Sequence, residues 1–433
     1  MMKQDFILLL NSIDQKLWII VTIFIFLVGI YFTRKLRGLQ FNFIKMIKEL
    51  TKKEQSKGGL NSFKTLMLSL AGRIGVGSIS GVALAIYLGG PGTLFWIWAI
   101  SLLSSTLAYA ETYLGIKYKE KDENKIYKGG PAYYIKKGLN KPKLGALYAI
   151  IIIICYGIGF MSVQSNTITK AVTSIANIEP VIVGILLAII SFIIIFGGVK
   201  KIADATSKIV PIMSGVYILL SIIIITINIK LVPGIFLSII KSAFNLKSFS
   251  TGFLATLLIG VQRGIFSNEA GLGTGSIAAS SGTSNDPIGQ GYIQMLGIYI
   301  TSFLICSATA IIILTSNYST LNIPDPNGIE LATHAFMYHL GNMGNTILVI
   351  CMFLFAFSTI LSGYYYGESS LKYFFTKVNK KYINALKLLT VAVIFTGSIS
   401  SPTIMWKLTD IFVAILSLIN IYSIFKLRKE ITK

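Results

Sequence analysis

The 433-residue chain is 54% hydrophobic and only 13% charged, and its mean hydropathy is +0.72. This composition excludes a water-soluble globular protein and indicates a polytopic membrane protein. The formal net charge of +22 does not indicate nucleic-acid binding, because the basic residues form short clusters between apolar runs and do not follow one face of a soluble domain.

Apolar runs long enough to cross about 30 Å of hydrocarbon recur along the whole chain. They predict an all-α fold with eleven transmembrane helices, at residues 16–33, 62–88, 92–115, 146–169, 180–198, 209–229, 251–279, 290–315, 344–371, 384–404 and 408–425. Positive charge at Arg34, Lys35 and Arg37 follows the first run, whereas a signal peptide carries such charge before its apolar stretch. We therefore expect the first run to remain as a membrane anchor.

Basic residues are concentrated on one predicted side of the membrane. Five segments hold 29 of the 39 lysines and arginines, namely 34–57, 117–143, 200–208, 372–387 and 426–433. The opposite connections, 89–91, 171–179 and 316–343, carry almost none. Because cytoplasmic loops are enriched in Lys and Arg, this distribution predicts an external N-terminus and a cytoplasmic C-terminus.

Segment 34–57 has two interpretations. Its apolar residues alternate with lysines, as in an amphipathic helix that lies on the anionic inner leaflet. It also fits an ordinary basic cytoplasmic loop, and the sequence leaves both open.

Two of the predicted helices are interrupted in the same way, about 190 residues apart. The interruptions read Ala71-Gly72-Arg73-Ile74-Gly75-Val76-Gly77-Ser78-Ile79-Ser80-Gly81 and Phe266-Ser267-Asn268-Glu269-Ala270-Gly271-Leu272-Gly273-Thr274-Gly275-Ser276. One glycine run alone favours close helix packing, but a matched pair in the two halves of a chain indicates the binding site of a secondary transporter. Freed carbonyls suit a cation such as Na⁺, and the N-terminus of a half-helix suits a carboxylate.

The positions of the interruptions also predict an internal repeat. Without the first helix, ten helices remain, and an interrupted helix opens each group of five. The two groups run in opposite directions across the membrane, so the predicted repeat is inverted. The predicted parts are an N-terminal helix with a basic cytoplasmic segment (1–60), a first five-helix repeat (61–230) and a second (231–433).

Short motifs in a consistent order carry a family resemblance. They are Gly89-Gly90-Pro91-Gly92-Thr93-Leu94-Phe95-Trp96-Ile97-Trp98, Gly129-Gly130-Pro131-Ala132-Tyr133-Tyr134, Val163-Gln164-Ser165-Asn166, Arg263-Gly264 with Phe266-Ser267-Asn268-Glu269-Ala270-Gly271, and Phe357-Ser358-Thr359-Ile360-Leu361 with Tyr364-Tyr365-Tyr366-Gly367-Glu368. Together they resemble the alanine or glycine:cation symporters, also called sodium:alanine symporters. The resemblance implies a LeuT-type 5+5 inverted-repeat core with one extra N-terminal helix. It also implies Na⁺- or H⁺-driven uptake of small neutral amino acids across a prokaryotic plasma membrane.

The resemblance places the substrate between the two broken helices and the third and eighth core helices. The residues expected to line this site are Gly75, Gly77, Ser78, Gln164, Asn166, Phe266, Ser267, Asn268, Thr359, Gly363 and Tyr366. Amide groups at mid-membrane are costly unless they are used, although they also serve as hydrogen-bonding contacts between helices.

A sodium site is expected beside the substrate. Thr359, Ser362, Gly363 and Tyr366 share one helix face at positions i, i+3, i+4 and i+7. The predicted oxygen cage combines the hydroxyls of Thr359 and Ser362 with the freed carbonyls of Gly72 and Gly75. The alternative is that these hydroxyls bond back to their own helix.

Two departures from the family pattern bear on the substrate. The chain reads Gly75-Val76-Gly77-Ser78-Ile79 where the family typically has GTGNI, so two polar side chains are missing from the first broken helix. It reads Leu361-Ser362-Gly363-Tyr364 where the family commonly has Leu-Gly-Trp-Tyr. An aromatic side chain buries about 150–250 Å². We therefore expect Gly363 to enlarge the pocket for a substrate such as glutamine, unless another side chain fills the gap.

Three alternatives to sodium symport remain in the sequence. A proton-coupled carrier would use Glu269 or Glu111 as the titrating group. An uncoupled channel or sensor fits the loss of polar residues at Val76 and Ser78. An enzyme is disfavoured, since the helices contain no Ser/His, HExxH or paired-aspartate pattern. The expected partners are thus a neutral amino acid, Na⁺ and the lipid bilayer, with no other cofactor and a monomeric transport unit.

Overall fold

The computed structural model describes residues 2–52, 60–122, 126–245, 252–320, 328–375 and 380–433, and most of these are helical. The α-helices are α1 (Met2–Lys35), α2 (Phe43–Thr51), α3 (Ser62–Arg73), α4 (Val82–Gly89), α5 (Thr93–Lys117), α6 (Pro131–Gly138), α7 (Pro142–Ile154), α8 (Met161–Thr173), α9 (Pro180–Ile195), α10 (Gly198–Ile227), α11 (Val232–Ala243), α12 (Leu254–Asn268), α13 (Thr274–Ser280), α14 (Pro287–Ile298), α15 (Ser307–Leu314), α16 (Ile329–Leu371), α17 (Lys380–Ile399) and α18 (Pro402–Lys426). Two short antiparallel strands, β1 (Glu120–Lys121) and β2 (Tyr127–Lys128), pair between α5 and α6. Parts of segments 34–57, 117–143, 316–343 and 372–387, and residue 251 of the predicted span 251–279, lie outside the described residues.

The membrane-spanning helices agree in type with the sequence prediction, but not all of the eleven are confirmed. Among the described residues, eight helices are long and apolar enough to cross a membrane, and a bent pair formed by α3 and Gly77–Gly89 gives a ninth. The predicted span 180–198 corresponds to α9, which has 16 residues. The predicted span 251–279 is divided between α12 and α13. The count of eleven therefore stays a prediction.

Three of the membrane-spanning segments contain a π-helical turn. Gly77–Gly81 precedes α4, Cys155–Phe160 joins α7 to α8, and Tyr299–Cys306 joins α14 to α15. A π-helical turn shifts the helix register locally and is frequent at functional sites. All three segments lie at the breaks described below, since Gly77–Gly81 follows the first break and residues of the other two contact Glu269 and Asn268 of the second.

The predicted external connection 316–343 is partly helical. α16 begins at Ile329 and bends at Gly341, whose backbone is left-handed (φ 62°). Ile329, Ala332 and Phe336 are buried, and their spacing places them on one face of the helix. The predicted connection therefore includes the start of a helix, which burial of this face stabilises.

Helix α5 lies at the centre of the fold, where it contacts α12, α13 and α14. On the other side of the breaks, α16 packs against α3, α8 and α10. Helix α1 lies outside this core and contacts α5 and α18. The two broken helices are thus enclosed by long continuous helices that can supply partners for their backbone.

The amphipathic interpretation of the basic segment 34–57 is confirmed as far as helix formation is concerned. Residues 43–51 form α2, in which Met46 is fully buried while Ile44 and Ile47 are exposed. The ring of Phe43 lies 4.3 Å from that of Tyr299, which anchors α2 to the membrane-spanning part of the protein. Contact of α2 with the inner leaflet stays a prediction.

The glycines of the Gly89–Gly92 motif permit a close approach between α5 and α11. A Cβ atom at Gly92 would collide with the backbone nitrogen of Ala243. The indole N–H of Trp96 donates to the carbonyl of the same Ala243 at 3.3 Å. Gly90 has a left-handed backbone (φ 74°), which glycine adopts without steric cost. The motif therefore fixes how the start of α5 is packed.

Gly92→Ala should destabilise the protein, since a backbone segment must move to accept the methyl group. Such overpacking costs about 1–3 kcal/mol. The matched control is Gly215→Ala in α10, where a Cβ atom would meet no heavy atom within 4 Å. Thermal unfolding in detergent should show a lower melting temperature for Gly92→Ala and an equal or higher one for Gly215→Ala. Equal melting of Gly92→Ala and the wild type would contradict this packing.

Candidate functional site

The first break separates α3 from α4 and frees backbone groups in the middle of the protein. α3 ends at Arg73, the chain leaves helical geometry at Ile74 (φ −87°, ψ 74°), and the helix resumes through Gly77–Gly81. The two parts are bent by 50°. Gln164 Oε1 accepts a hydrogen bond from the Val76 N–H at 3.2 Å, so a side chain of α8 binds one freed donor.

The second break lies between α12 and α13 and contains three left-handed residues. These are Glu269 (φ 54°), Gly271 (φ 85°) and Gly273 (φ 96°). For a residue with a side chain, this conformation costs roughly 1–2 kcal/mol. The Glu269 carboxylate accepts hydrogen bonds from Tyr156 (2.7 Å) and Thr274 (2.8 Å), which hold the residue in place.

Side chains from three other helices bind the freed backbone of the second break. Asn420 donates to the carbonyl of Gly271 (2.8 Å), Tyr148 donates to the carbonyl of Leu272 (2.5 Å), and Glu111 accepts from the N–H of Gly273 (3.1 Å). Asn420 also donates to Glu111 at 2.9 Å. The break is therefore a built feature, since α5, α7 and α18 each supply a partner.

The two breaks lie directly against each other, as their matched positions predict. Ser78 Oγ and Ser267 Oγ are 2.9 Å apart. A Cβ atom at Gly77 would lie 2.9 Å from Cδ1 of Phe266, so a larger residue at this position would push the second broken helix away. Four of the predicted substrate residues thus meet at this contact.

A cluster of four oxygen atoms lies between α3 and α16. It consists of the backbone carbonyls of Ala71 and Phe355 and the hydroxyls of Ser358 and Thr359. Thr359 Oγ1 lies 2.8 Å from the Ala71 carbonyl and 3.1 Å from the Phe355 carbonyl. Ser358 Oγ lies 3.4 and 2.9 Å from the same two oxygens. Neutral oxygens at the end of a broken helix are suitable ligands for Na⁺.

This oxygen cluster differs from the predicted sodium ligands. Thr359 belongs to both sets, but Ser362 donates to the Thr359 carbonyl of its own helix at 3.2 Å. The hydroxyls of Ser358 and Thr359 donate to the carbonyl of Ala71, which was not among the predicted ligands. Adjacent residues of a helix point about 100° apart, and the sequence does not fix which hydroxyl faces the partner helix. The adjacent hydroxyl residues Ser358 and Thr359 are the sequence feature from which this oxygen cluster could have been predicted.

Two of the predicted amides, Gln164 and Asn268, lie at the breaks, and Asn166 joins two other helices. Gln164 contacts the first break, as described above. Asn166 instead donates to the carbonyls of Gly397 and Ser400 at 3.4 and 2.7 Å, which joins α8 to α17. Asn268 donates to Ser101 at 2.8 Å and to Ser302 at 3.2 Å, and its Oδ1 accepts from the N–H of Ala270 in the second break at 2.9 Å. The structure therefore does not bring Asn166 together with Gln164.

The space beside Gly363 is occupied. A Cβ atom at Gly363 would lie 3.0 Å from the methyl carbon of Met161 and 3.3 Å from Cδ1 of Tyr156. From the sequence, Gly363 was expected to enlarge the pocket unless another side chain fills the gap. The side chains of Met161 and Tyr156 occupy the space that the missing aromatic ring leaves.

Three charged side chains lie fully buried around the breaks. Arg73 Nη1 donates to the carbonyl of Gln294 at 3.0 Å, while its Nε and Nη2 atoms have no hydrogen-bond partner among the described residues. Glu111 and Glu269 are the buried carboxylates of the second break. A Cβ atom at Gly72 would lie 2.7 Å from Tyr366 Oη and 3.1 Å from Glu269 Oε2. Tyr366 is thus part of this polar cluster, and its role in substrate binding stays a prediction.

A buried ion pair lies beside Phe266 of the second break. Arg263 forms a salt bridge with Asp410 of α18. Its guanidinium also lies 5.3 Å from the ring centre of Phe266 and 5.4 Å from that of Trp406. Phe266 stacks on Phe160 and on Trp406, with ring centres 4.9 and 5.1 Å apart. Asp410 was not predicted as a partner of Arg263. It could have been, because it is an acidic residue within the last apolar run.

The arrangement can bind a cation at the oxygen cluster and a small polar solute at the contact between the breaks. Comparison with known proteins agrees with this chemistry. The model of the sodium:alanine symporter family matches residues 3–433. The chain belongs to the sodium:alanine symporter family. It is therefore a sodium-coupled amino-acid symporter and not an enzyme.

Relatives in this family match nearly the whole chain. The amino-acid carrier protein AlsT of Bacillus subtilis is 36% identical over 422 residues, which cover 97% of this chain and 89% of AlsT. GlnT of the same organism, described as a probable sodium/glutamine symporter, is 38% identical and covers 93% of this chain and 84% of its own. The sodium/alanine symporter AgcS of Methanococcus maripaludis is 35% identical and covers 94% and 91% of the two chains.

A solved structure confirms the LeuT-type fold of this family member. The outward-open, substrate-bound structure of a Na⁺-coupled sialic acid symporter aligns with a TM-score of 0.55 at 14% sequence identity. The alignment covers 95% of this chain and 87% of that protein. At this identity, the similarity shows the fold alone.

Gly75→Ala should abolish substrate uptake while the protein still folds. A Cβ atom at Gly75 would collide with Thr359 Oγ1 and lie 3.2 Å from Gln164 Oε1, so both side chains would have to leave their positions. Gly81→Ala in the same helix is the control, since its Cβ atom would meet only Arg263 Cδ at 3.9 Å. Uptake by the two variants in liposomes, compared at equal amounts of monodisperse protein, tests this geometry. Normal uptake by Gly75→Ala would contradict it.

Proposed function

We propose that the protein takes up a small or mid-sized neutral amino acid with Na⁺ and binds both at the two helix breaks. The main support for this proposal is that Gln164, Ser358 and Thr359 lie at the breaks. Together they offer hydrogen-bond donors, acceptors and neutral oxygens in one buried place. Polar groups inside a membrane protein are costly and mark a substrate or ion path.

The proposed sodium site is the oxygen cluster between α3 and α16. The carbonyls of Ala71 and Phe355 and the hydroxyls of Ser358 and Thr359 would coordinate the ion. In the structure, both hydroxyls donate hydrogen bonds to the carbonyl of Ala71. Na⁺ would reorient the hydroxyls so that their oxygens face the ion. Binding would thereby tie the end of α3 to α16.

The proposed substrate site adjoins this cluster. The carboxylate of the amino acid would bind near the N-terminal end of Gly77–Gly81, where the helix dipole favours negative charge. Gln164 and Ser267 would contribute hydrogen bonds, and Phe266 would cover the apolar part of the substrate. Because Phe266, Gln164 and Ser267 are all buried, access requires movement of the surrounding helices.

The substrate range follows from the space at Met161 and Gly363. Met161 fills this space with a flexible side chain, and flexible methionine adapts to ligands of different size. We therefore propose a range that includes alanine and extends to glutamine, the solute in the name of the relative GlnT.

The proposed topology places eleven helices across the plasma membrane of a prokaryote, with the N-terminus outside and the C-terminus in the cytoplasm. Residues 1–60 would form the extra helix and basic segment, and 61–230 and 231–433 the two inverted repeats. The clustering of basic residues between alternate helices supports this orientation. One chain contains both breaks and all the residues named for the site, which supports a monomeric transport unit.

Coupling to Na⁺ supplies enough energy to concentrate a neutral solute. One positive charge that moves down 100 mV releases about 2.3 kcal/mol. A tenfold sodium gradient adds about 1.4 kcal/mol. Together they support accumulation of roughly several hundredfold for one ion per substrate.

Uptake by purified protein in liposomes tests the proposal directly. Radiolabelled glutamine and alanine are supplied under an inward Na⁺ gradient, with choline replacement and an inward proton gradient as separate controls. Sodium-dependent accumulation of both amino acids is expected. Accumulation under the proton gradient alone would favour the coupling role of Glu111 or Glu269. Current or binding without accumulation would favour the channel or sensor.

Thr359→Val should raise the Na⁺ concentration for half-maximal uptake by about tenfold or more. The reason is that a methyl group of similar size replaces an oxygen ligand of the ion. Ser358→Ala should act in the same direction. The control is Ser362→Ala, which removes a hydroxyl that bonds only to its own helix. The measured quantity is the Na⁺ concentration for half-maximal uptake. A shift for Ser362→Ala that equals the shift for Thr359→Val would overturn the assignment.

Met161→Ala should favour larger substrates, since it removes the side chain that fills the space beside Gly363. Gly363→Ala should favour smaller ones, because its methyl group would press on Met161. Competition of unlabelled glutamine and alanine against labelled alanine measures both changes. If the ratio of the two inhibition constants is the same in both variants and the wild type, neither residue contacts the substrate.

A further inference from the structure

A groove along helix α1 is separate from the substrate site. It consists of two adjoining cavities of about 590 and 340 Å³, which share Leu27 and Tyr31. The larger cavity extends along α1 to Arg34 and Lys35. The smaller one lies between α1 and α18 and reaches Phe24. We call the two together the α1–α18 groove.

The length of the groove matches one leaflet of a bilayer. Phe24 and Lys35 are eleven positions apart on a continuous helix, which corresponds to about 16 Å. The hydrocarbon core of a bilayer is about 30 Å thick. The walls near Phe24 are apolar, and Leu27 is 64% exposed although it lines the groove. This part of the groove therefore suits an acyl chain.

The opposite end of the groove is basic. Lys141 donates to the hydroxyl of Tyr422 at 3.1 Å, and Lys426 lies 5.7 Å from the centre of the same ring. Tyr422 itself lines the groove. Arg34 approaches from α1. Among the described residues, Arg34, Lys141 and Lys426 form no ion pair with a carboxylate.

The acidic residue at this end of the chain is engaged elsewhere. Glu430 pairs with Lys117 at 2.8 Å and accepts a hydrogen bond from Tyr118 at 2.6 Å. The basic end of the groove thus has Lys141 and Lys426 at Tyr422 and Arg34 along α1, and Tyr31 lines both cavities. An anionic phosphate group is the complementary partner.

We infer that the α1–α18 groove binds an anionic phospholipid of the basic-side leaflet. Its phosphate lies among Arg34, Lys141 and Lys426, and one acyl chain lies against Leu27 and Phe24. This binding site is independent of the amino acid that the protein transports.

The lipid would bear on a helix that supports the second break. Ile421 lines the groove, and the adjacent Asn420 binds both Glu111 and the carbonyl of Gly271. A lipid in the groove would therefore contact the outer side of α18, next to the residue of α18 that binds the second break.

Native mass spectrometry of the full-length protein tests the inference. The detergent-purified chain is titrated separately with dioleoylphosphatidylglycerol and dioleoylphosphatidylcholine. We compare wild type with Lys141→Gln/Lys426→Gln, which removes two cations, and with Leu27→Trp, which fills the groove. The controls are Lys200→Gln/Lys208→Gln and Ile222→Trp on the surface of α10.

The first expected result is tighter binding of one phosphatidylglycerol than of phosphatidylcholine to the wild type. Each cation near an anionic headgroup contributes about a fivefold change. Lys141→Gln/Lys426→Gln should thus lose about 25-fold in affinity for phosphatidylglycerol, and Leu27→Trp should lose binding of that one lipid. Both α10 controls should bind as the wild type does. Inorganic phosphate should not displace the lipid, because it lacks the acyl chain.

Three outcomes would overturn the inference: equal binding of the two lipids, an unchanged preference in Lys141→Gln/Lys426→Gln, or equal losses in the α10 controls. Displacement by inorganic phosphate would assign the basic end to a free anion. Melting temperatures in detergent without added lipid show that each variant is folded.

Discussion

The cost of an unpaired backbone group in a membrane governs the centre of this protein. Two helices are broken there, and each freed N–H or C=O would cost several kcal/mol in hydrocarbon. The structure avoids this cost with side chains from α5, α7, α8, α16 and α18, which bind the freed groups. Long intact helices surround the breaks because only they can provide these side chains without further unpaired backbone.

The same constraint links the binding site to conformational change. Gln164 and Thr359 now bind backbone groups of the first break, and these groups and side chains are the ones proposed to bind substrate and Na⁺. Ligand binding would therefore exchange internal hydrogen bonds for contacts with the ligand. Each exchange alters how α3 is held against α8 and α16, and ligands that differ in affinity for two arrangements shift the population between them.

Buried charges also need partners within the protein, and an unpaired buried charge costs more free energy than an unpaired backbone group. Arg263 is paired with Asp410, and the Glu269 carboxylate accepts hydrogen bonds from two hydroxyls. Arg73 retains two nitrogen atoms without partners among the described residues. This buried guanidinium lies at the breaks, which are the part of the protein proposed to move.

The sequence by itself determined the membrane class, the family and the position of both breaks, because hydropathy, glycine runs and motif order are properties of the chain alone. It also identified Gln164 and Thr359, but not the orientation of Asn166, Ser358 and Ser362, nor Met161 as the residue that fills the space at Gly363. Those depend on helix rotation and on contacts between residues such as Ala71 and Ser358 that lie 287 positions apart. Only the tertiary structure decides such contacts, since the packing of neighbouring helices fixes which side of each helix faces the site.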